Sequence, residues 1–135
     1  QHPQATEDLY GSAPHKDFGC LTLLAQDDVG GLQVQTPAGD WVDAPPREDA
    51  FIVNVGDMLH RMSNGKLFSI PHSVINTPGR DRHSVPFFFD PNVSTIVAPL
   101  PGTGTPKFDP LNFGGFLRAE LGASYDAHQA DQSTR

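Results

Sequence analysis

Turn-forming residues punctuate this chain so often that long regular elements have little room. Thirteen Gly and thirteen Pro are spread over 135 residues, and clusters such as "DDVGG" at 27–31, "TPAGD" at 36–40, "TPGRD" at 77–81 and "PGTGTP" at 101–106 cut the sequence into short apolar runs. Gly supplies backbone conformations with positive φ, and Pro withdraws a backbone donor, so both end regular elements and favour reversals. Short strands joined by turns follow, and the expected class is mainly β.

The runs between the turns read as strands. "FGCLTLLAQ" at 18–26 and "LQVQ" at 32–35 flank one turn and form either a hairpin or a sheet corner. "AFIVNV" at 50–55 reads as a buried strand ended by Gly56, "HSVIN" at 72–76 and "HSVPFFFD" at 83–90 flank a reversal at Pro78-Gly79, and "STIVAP" at 94–99 adds one more. Two segments carry helical spacing instead. A short helix near 57–63 has Asp57 as its expected N-cap and Gly65 as its stop. A C-terminal helix near 112–123 places Phe113, Phe116, Leu117 and Leu121 on one side. A polar loop over residues 1–14 leads into a single domain over 15–125, and residues 126–135 are expected to form a flexible tail.

Sixteen acidic against nine basic residues give a formal net charge of −7. With no basic cluster to interrupt that balance, nucleic acid and anionic membrane surfaces are disfavoured as partners. No apolar run approaches a membrane span, and "QHPQATEDLY" lacks the basic start and apolar centre of a signal peptide, so the expected location is cytoplasmic. A first residue of Gln rather than Met points to a fragment or a processed piece. Cys20 is the single cysteine, which leaves no internal disulfide and suggests a small buried side chain.

Chemistry concentrates in "SAPHKDFGCLTLL", where His15 and Asp17 stand two residues apart before an apolar run. Residues i and i+2 of an extended segment project from one face, so both side chains can converge on a metal ion or on a plain hydrogen bond. Of the other histidines, His2 and His128 lie near the ends, His60 reads as a surface residue on the short helix, and His83 is less informative than its neighbours. His72 begins a strand and can join His15 and Asp17 to form two imidazoles and one carboxylate on one face of an octahedral ion, an arrangement suited to non-haem Fe(II). Arg82 and Ser84 repeat the i, i+2 pattern at another strand start, and parity adds Pro86 and Phe88 to their face. A guanidinium on an apolar strand needs an anion or water. A planar fork beside a hydroxyl suits a carboxylate, while a salt bridge to a surface Asp is the plainer alternative.

These residues, with "HKDFGCLTLLAQD", "GLQV", "GDW", "VNVGDML", "NG", "PHSVIN" and "RHSVPFFFDPN" in order, make the chain resemble the C-terminal catalytic domain of the isopenicillin N synthase-like family of Fe(II) and 2-oxoglutarate-dependent oxygenases. The resemblance runs from about His15 to about Tyr125. It implies a double-stranded β-helix, or jelly roll, with His15, Asp17 and His72 as iron ligands and Arg82 and Ser84 on the distal carboxylate of 2-oxoglutarate. O2 would be consumed, succinate and CO2 released, and a small organic molecule hydroxylated, desaturated or ring-closed. Phe88 is a candidate substrate wall, with core packing as its alternative. Members of the family carry a long N-terminal region that this sequence lacks, so an incomplete barrel with exposed sheet edges is expected, and the piece alone is expected to be inactive or poorly stable. Two other functions fit the same residues: a same-family oxidase that binds its own substrate carboxylate through Arg82 and Ser84, and a non-catalytic jelly-roll binding module.

Overall fold

In the computed structural model, whose described residues are 10–76 and 79–132, the short runs form nine strands and two helices. In chain order they are β1 (Tyr10–His15), β2 (Leu21–Gln26), β3 (Leu32–Gln35), β4 (Trp41–Asp43), β5 (Ile52–Val55), α1 (Asp57–Met62), β6 (His72–Ile75), β7 (Ser84–Phe89), β8 (Ile96–Val97), β9 (Leu111–Asn112) and α2 (Phe113–Gln132). One sheet has the order β1-β6-β3-β4, a second β5-β2-β7, and β8 pairs with β9, with every pairing antiparallel.

The turn "DDVGG" is a corner between sheets, because β2 pairs with β5 and β7 whereas β3 pairs with β4 and β6. Gly30 and Gly31 take φ of 80° and 88°, and a Cβ on Gly31 would stand 2.3 Å from the Ile75 carbonyl oxygen, so only glycine fits there. Register in the second sheet puts Thr22 opposite Asn54 and Phe88, and Leu24 opposite Ile52 and Pro86. That face lines the space between the two sheets. The opposite face, with Val53, Phe87 and Phe89, is exposed. The segment 50–55 is therefore covered on one side only, contrary to the buried strand expected from its composition.

The apolar core lies elsewhere, where Met58 of α1, Val97 of β8 and Phe113 of α2 are fully buried and packed by Cys20, Met62, Leu111, Phe116 and Leu117. Cys20 is half-buried against this cluster, and its burial, followed by the charge of Asp90, raises the thiol above its ordinary range. A protonated packing group results. Asn64, buried and at φ 57°, accepts the Lys107 N–H and donates to the Thr103 and Thr105 carbonyls, which pins the irregular 100–110 segment to the end of α1.

Several boundaries differ from the sequence expectation. Residues 10–14 belong to β1 rather than to a leading loop, because two register shifts let a strand carry Gly11 and Pro14. Residues 18–20 bend before β2 begins at Leu21. Helix α2 runs past 123 to Gln132, through His128 and most of the expected tail, since no Gly or Pro follows Gly122 and Ala127, Gln129 and Ala130 favour helix. His2, Pro78 and residues 133–135 lie outside the described residues. Among those described, no helix is long and apolar enough to cross a membrane.

Asp57 is the first residue of α1 and not its cap. The cap is Gly56, in an extended conformation, and the first helical N–H groups are satisfied by backbone: Asp57 N donates to the Asp17 carbonyl at 2.8 Å and Met58 N to the Gly19 carbonyl at 2.9 Å. A Cβ on Gly56 would meet the Gly19 oxygen at 2.3 Å and the Asp17 oxygen at 3.1 Å, both backbone atoms that cannot rotate away. Gly56→Ala is expected to lower unfolding free energy by about 2 kcal/mol in a urea titration, in the range for a forced overpacking; an unchanged midpoint contradicts the close approach.

Candidate metal centre

Antiparallel pairing of β1 with β6 sets His15 directly opposite His72, with ring centroids 4.3 Å apart. Asp17, two residues beyond the end of β1, is buried with Oδ1 lying 3.8 Å from His15 Nε2 and 3.6 Å from His72 Nε2. All three ligand atoms fall within 4.8 Å of one another. The long separation of Asp17 and His72 in sequence is thus closed by strand register.

Each group is oriented from behind. Asp17 Oδ2 accepts hydrogen bonds from Thr22 Oγ1 at 2.5 Å and Asn54 Nδ2 at 2.7 Å, which leaves Oδ1 turned toward the imidazoles. His15 Nδ1 lies 2.8 Å from the Ala13 carbonyl and His72 Nδ1 3.3 Å from that of Ile70. A carbonyl can only accept, so these contacts place the ring hydrogen on Nδ1 and the lone pair on Nε2. Two imidazole nitrogens and one carboxylate oxygen, each braced by a further hydrogen bond, match the donor set for a divalent iron with open positions. Sequence reasoning missed Thr22 and Asn54. Their signal was a lone polar residue in each of the apolar runs "LTLL" and "IVNV", at the parity that faces the site.

Arg82 and Ser84 meet at the start of β7. Arg82 donates from Nε to the Gly30 carbonyl at 2.7 Å, from Nη2 to Gln26 Oε1 at 3.1 Å and from Nη1 to Ser84 Oγ at 3.1 Å. All three hydrogen-bond partners are neutral, and the nearby Asp27 carboxylate meets the guanidinium only through its charge. The triad, Arg82 and Ser84 line one cavity of about 610 Å³ between the sheets. Phe88 lines it too, 52% exposed, so its ring faces the cavity rather than the core. His83 points outward, and half-buried His60 is no plain surface residue, since its Nδ1 lies 2.6 Å from the Leu67 carbonyl.

Charge around the site is uneven. Burial, and after it the negative charge of Asp17, raises the Asp90 carboxyl above its ordinary range. Asp27 is lowered, chiefly by the N–H of His83 and further by that of Val29 and the charge of Arg82. A carboxyl lowered on folding contributes stability above its unfolded value of about 3.9 and loses it as pH falls through the lower folded value. Side-chain NMR titration is expected to give Asp27 a midpoint below about 3.9, and Asp27→Asn to remove that share of the acid dependence of unfolding; an ordinary midpoint contradicts the assignment.

The profile of the 2OG-Fe(II) oxygenase superfamily matches residues 1–91, more than half of the sequence. The chain belongs to this superfamily. Among curated relatives of this 2OG-Fe(II) oxygenase chain, the 2-oxoglutarate-Fe(II) type oxidoreductase hxnY of Emericella nidulans is 42% identical over 125 residues, covering 89% of this chain and 36% of that protein. The 2-oxoglutarate-dependent dioxygenase citB of Monascus ruber is 48% identical over 95 residues, covering 70% and 29%. A full-length protein of Neurospora crassa, in a crystal structure with alpha-KG and thymine, matches with a TM-score of 0.79 at 37% identity, covering 86% of this chain and 38% of that one. The chain spans about a third of the length of the curated relatives it matches. Two antiparallel sheets facing one cavity are the jelly-roll arrangement expected from the sequence, and the superfamily uses Fe(II), 2-oxoglutarate and O2.

Removing a brace behind Asp17 leaves the three ligands in place but free to turn. Thr22→Val is expected to weaken Fe(II) binding by about 10- to 100-fold, the range for lost outer-shell partners, in an anaerobic calorimetric titration; unchanged affinity contradicts the orienting role.

Proposed function

We propose that this chain is the iron- and cosubstrate-binding portion of a 2-oxoglutarate-dependent dioxygenase that oxidises a small organic molecule. The observation that carries the reading is the presence, in one cavity, of a braced His15, Asp17 and His72 donor set and of an Arg82 fork with no acidic partner among its hydrogen bonds. The names of hxnY and citB, and the alpha-KG in the Neurospora crassa structure, support the same reading.

His15, Asp17 and His72 would hold Fe(II). Bound iron and 2-oxoglutarate together supply the oxidising chemistry, in which O2 is reduced while 2-oxoglutarate loses CO2 to become succinate and the organic substrate is hydroxylated, desaturated or ring-closed. The protein's own part is positional. Arg82, held by Gly30 and Gln26, offers two parallel N–H groups to the distal carboxylate. Ser84 accepts from Arg82, so its own hydroxyl hydrogen is free to donate to the same carboxylate. Leu24, Leu32, Val34 and Ile52 line the cavity between these ends and limit the water that can reach it.

Succinate release and O2 uptake measured together test the proposal. The iron-loaded protein is expected to form one succinate per O2 consumed, His72→Ala to lose Fe(II) binding, and Arg82→Met to raise the 2-oxoglutarate KM by about 100-fold or more, the cost of removing one partner of a charge-assisted pair. O2 uptake without succinate overturns the cosubstrate assignment in favour of an oxidase that uses Arg82 for its own substrate. Failure of the full-length protein to bind Fe(II) favours a non-catalytic module.

A further inference from the structure

The corner between the two sheets carries a carboxylate to which the iron and cosubstrate reading gives no task. Asp27 follows β2 directly and stands opposite His83, one step beyond the paired Gln26 and Ser84. An antiparallel ladder continued to this pair would exchange two backbone hydrogen bonds. Backbone supplies only one of them, from Asp27 N to the His83 carbonyl at 3.1 Å. The side chain supplies the other, since His83 N donates to Asp27 Oδ2 at 2.5 Å. The second oxygen, Oδ1, accepts the Val29 N–H at 3.0 Å and so opens the turn.

Both bonds end beside the guanidinium. His83 lies between Arg82 and Ser84, and its N–H belongs to the peptide that joins it to Arg82. Val29 precedes Gly30, whose carbonyl accepts Arg82 Nε at 2.7 Å. One carboxylate therefore fixes the backbone that bears the guanidinium and also the loop whose carbonyl holds it. Of the five N–H donors of Arg82, Gly30, Gln26 and Ser84 each take one, and two stay open. With both of its oxygens turned to backbone N–H groups, Asp27 blocks neither. Its charge and its placement then act on an incoming dicarboxylate with opposite signs. The negative charge beside Arg82 repels the anion, while the held backbone presents Arg82 and Ser84 ready to receive it. A carboxylate at this place can favour anion binding only through position.

We propose that Asp27 is the positioning residue of the cosubstrate anchor, and that it holds Arg82 and Ser84 where they accept 2-oxoglutarate and disfavour the same acid lengthened by one methylene. The inference rests on the reading of Arg82 and Ser84 as that anchor, and adds the group that keeps the anchor still.

Calorimetric titration of 2-oxoglutarate and of 2-oxoadipate, one methylene longer, into the Mn(II)-loaded chain tests this, with Mn(II) affinity followed by electron paramagnetic resonance. Asp27→Ala is expected to weaken 2-oxoglutarate about 10-fold, less than loss of the guanidinium itself, because Arg82 stays present but out of place. Mn(II) affinity is expected to be unchanged, and the preference for 2-oxoglutarate over 2-oxoadipate to narrow. Asp27→Asn keeps one acceptor oxygen for the two N–H groups and is expected to fall between the wild type and Asp27→Ala. His83→Ala keeps the backbone N–H and is expected to bind as the wild type does, since its imidazole is 83% exposed and 3.7 Å from Asp27 Oδ2. In the metal-free chain the His83 amide is expected to exchange with solvent about 10-fold faster in Asp27→Ala, as for loss of a hydrogen bond to a charged group.

Tighter or unchanged 2-oxoglutarate binding in Asp27→Ala overturns the inference, because charge then outweighs position. An equal loss of Mn(II) affinity overturns it as general damage to the fold, and a loss in His83→Ala equal to that in Asp27→Asn overturns it by assigning the effect to the imidazole. In each of these outcomes the wild type still binds 2-oxoglutarate, and the cosubstrate reading stands. A wild type that takes up no Mn(II), or takes up Mn(II) but no 2-oxoglutarate, overturns that reading and this inference together.

Discussion

The carboxylate of Asp17 is the interaction around which the structure is organised. A buried carboxylate is costly unless its oxygens are hydrogen-bonded or face positive partners, and this one draws its hydrogen bonds from two strands of the second sheet while its other oxygen faces the two imidazoles, where a cation would sit. Thr22 comes from β2 and Asn54 from β5, both to Oδ2, while His15 of β1 and His72 of β6 face Oδ1. The backbone joins in, since the Asp17 carbonyl accepts the first N–H of α1. One residue thereby ties the second sheet, two strands of the first and a helix into a single arrangement. Residues that complete the fold locally are the same ones that aim the ligand atom.

The largest apolar cluster lies apart from the cavity. Apolar packing is concentrated where α1, the β8–β9 pair and α2 meet around Met58, Val97 and Phe113, and the space between the two larger sheets is left as a cavity. A jelly roll whose sheets closed on interdigitated side chains would have no room for ligands. Here the intersheet faces carry polar groups at fixed places among apolar side chains that include buried Leu32, and the largest apolar cluster lies outside them. Gly56 and Gly19 form the seam between the two volumes, and the close approach of their backbones explains why the turn into α1 has no side-chain cap.

Much of this was legible in the sequence because strand parity is local. His15 with Asp17, and Arg82 with Ser84, could be assigned to shared faces from i, i+2 spacing alone, and the structure brings both pairs to one cavity. The missing information was long-range. Parity could not say that β1 pairs with β6 in the register that sets His15 opposite His72, nor that Thr22 and Asn54 would meet over one oxygen. Strand β1 itself was hidden, since two register shifts let it carry Gly11 and Pro14, residues that locally signal a turn. The exposure of Val53 was equally out of reach, because an apolar run records that a strand can be buried, not whether anything covers its second face.

Strand β2 also explains how two separate pairs become one site. Thr22 near one end braces the metal-facing carboxylate, and Gln26 at the other end holds Arg82 through Nη2. They are four residues apart and share a face, which on an extended strand sets their Cα atoms roughly 13 Å apart. Paired on both sides along most of its length, by β5 and by β7, β2 cannot slide or stretch without breaking two ladders. The distance between the metal ligands and the guanidinium is therefore fixed by backbone hydrogen bonding, not by the side chains that do the binding. An extended dicarboxylate held at both ends would be measured against that strand. The Gly30 carbonyl gives the guanidinium a second anchor at the corner where the chain leaves β2 for the other sheet, so the turn that makes the architecture possible also sets the far end of the site.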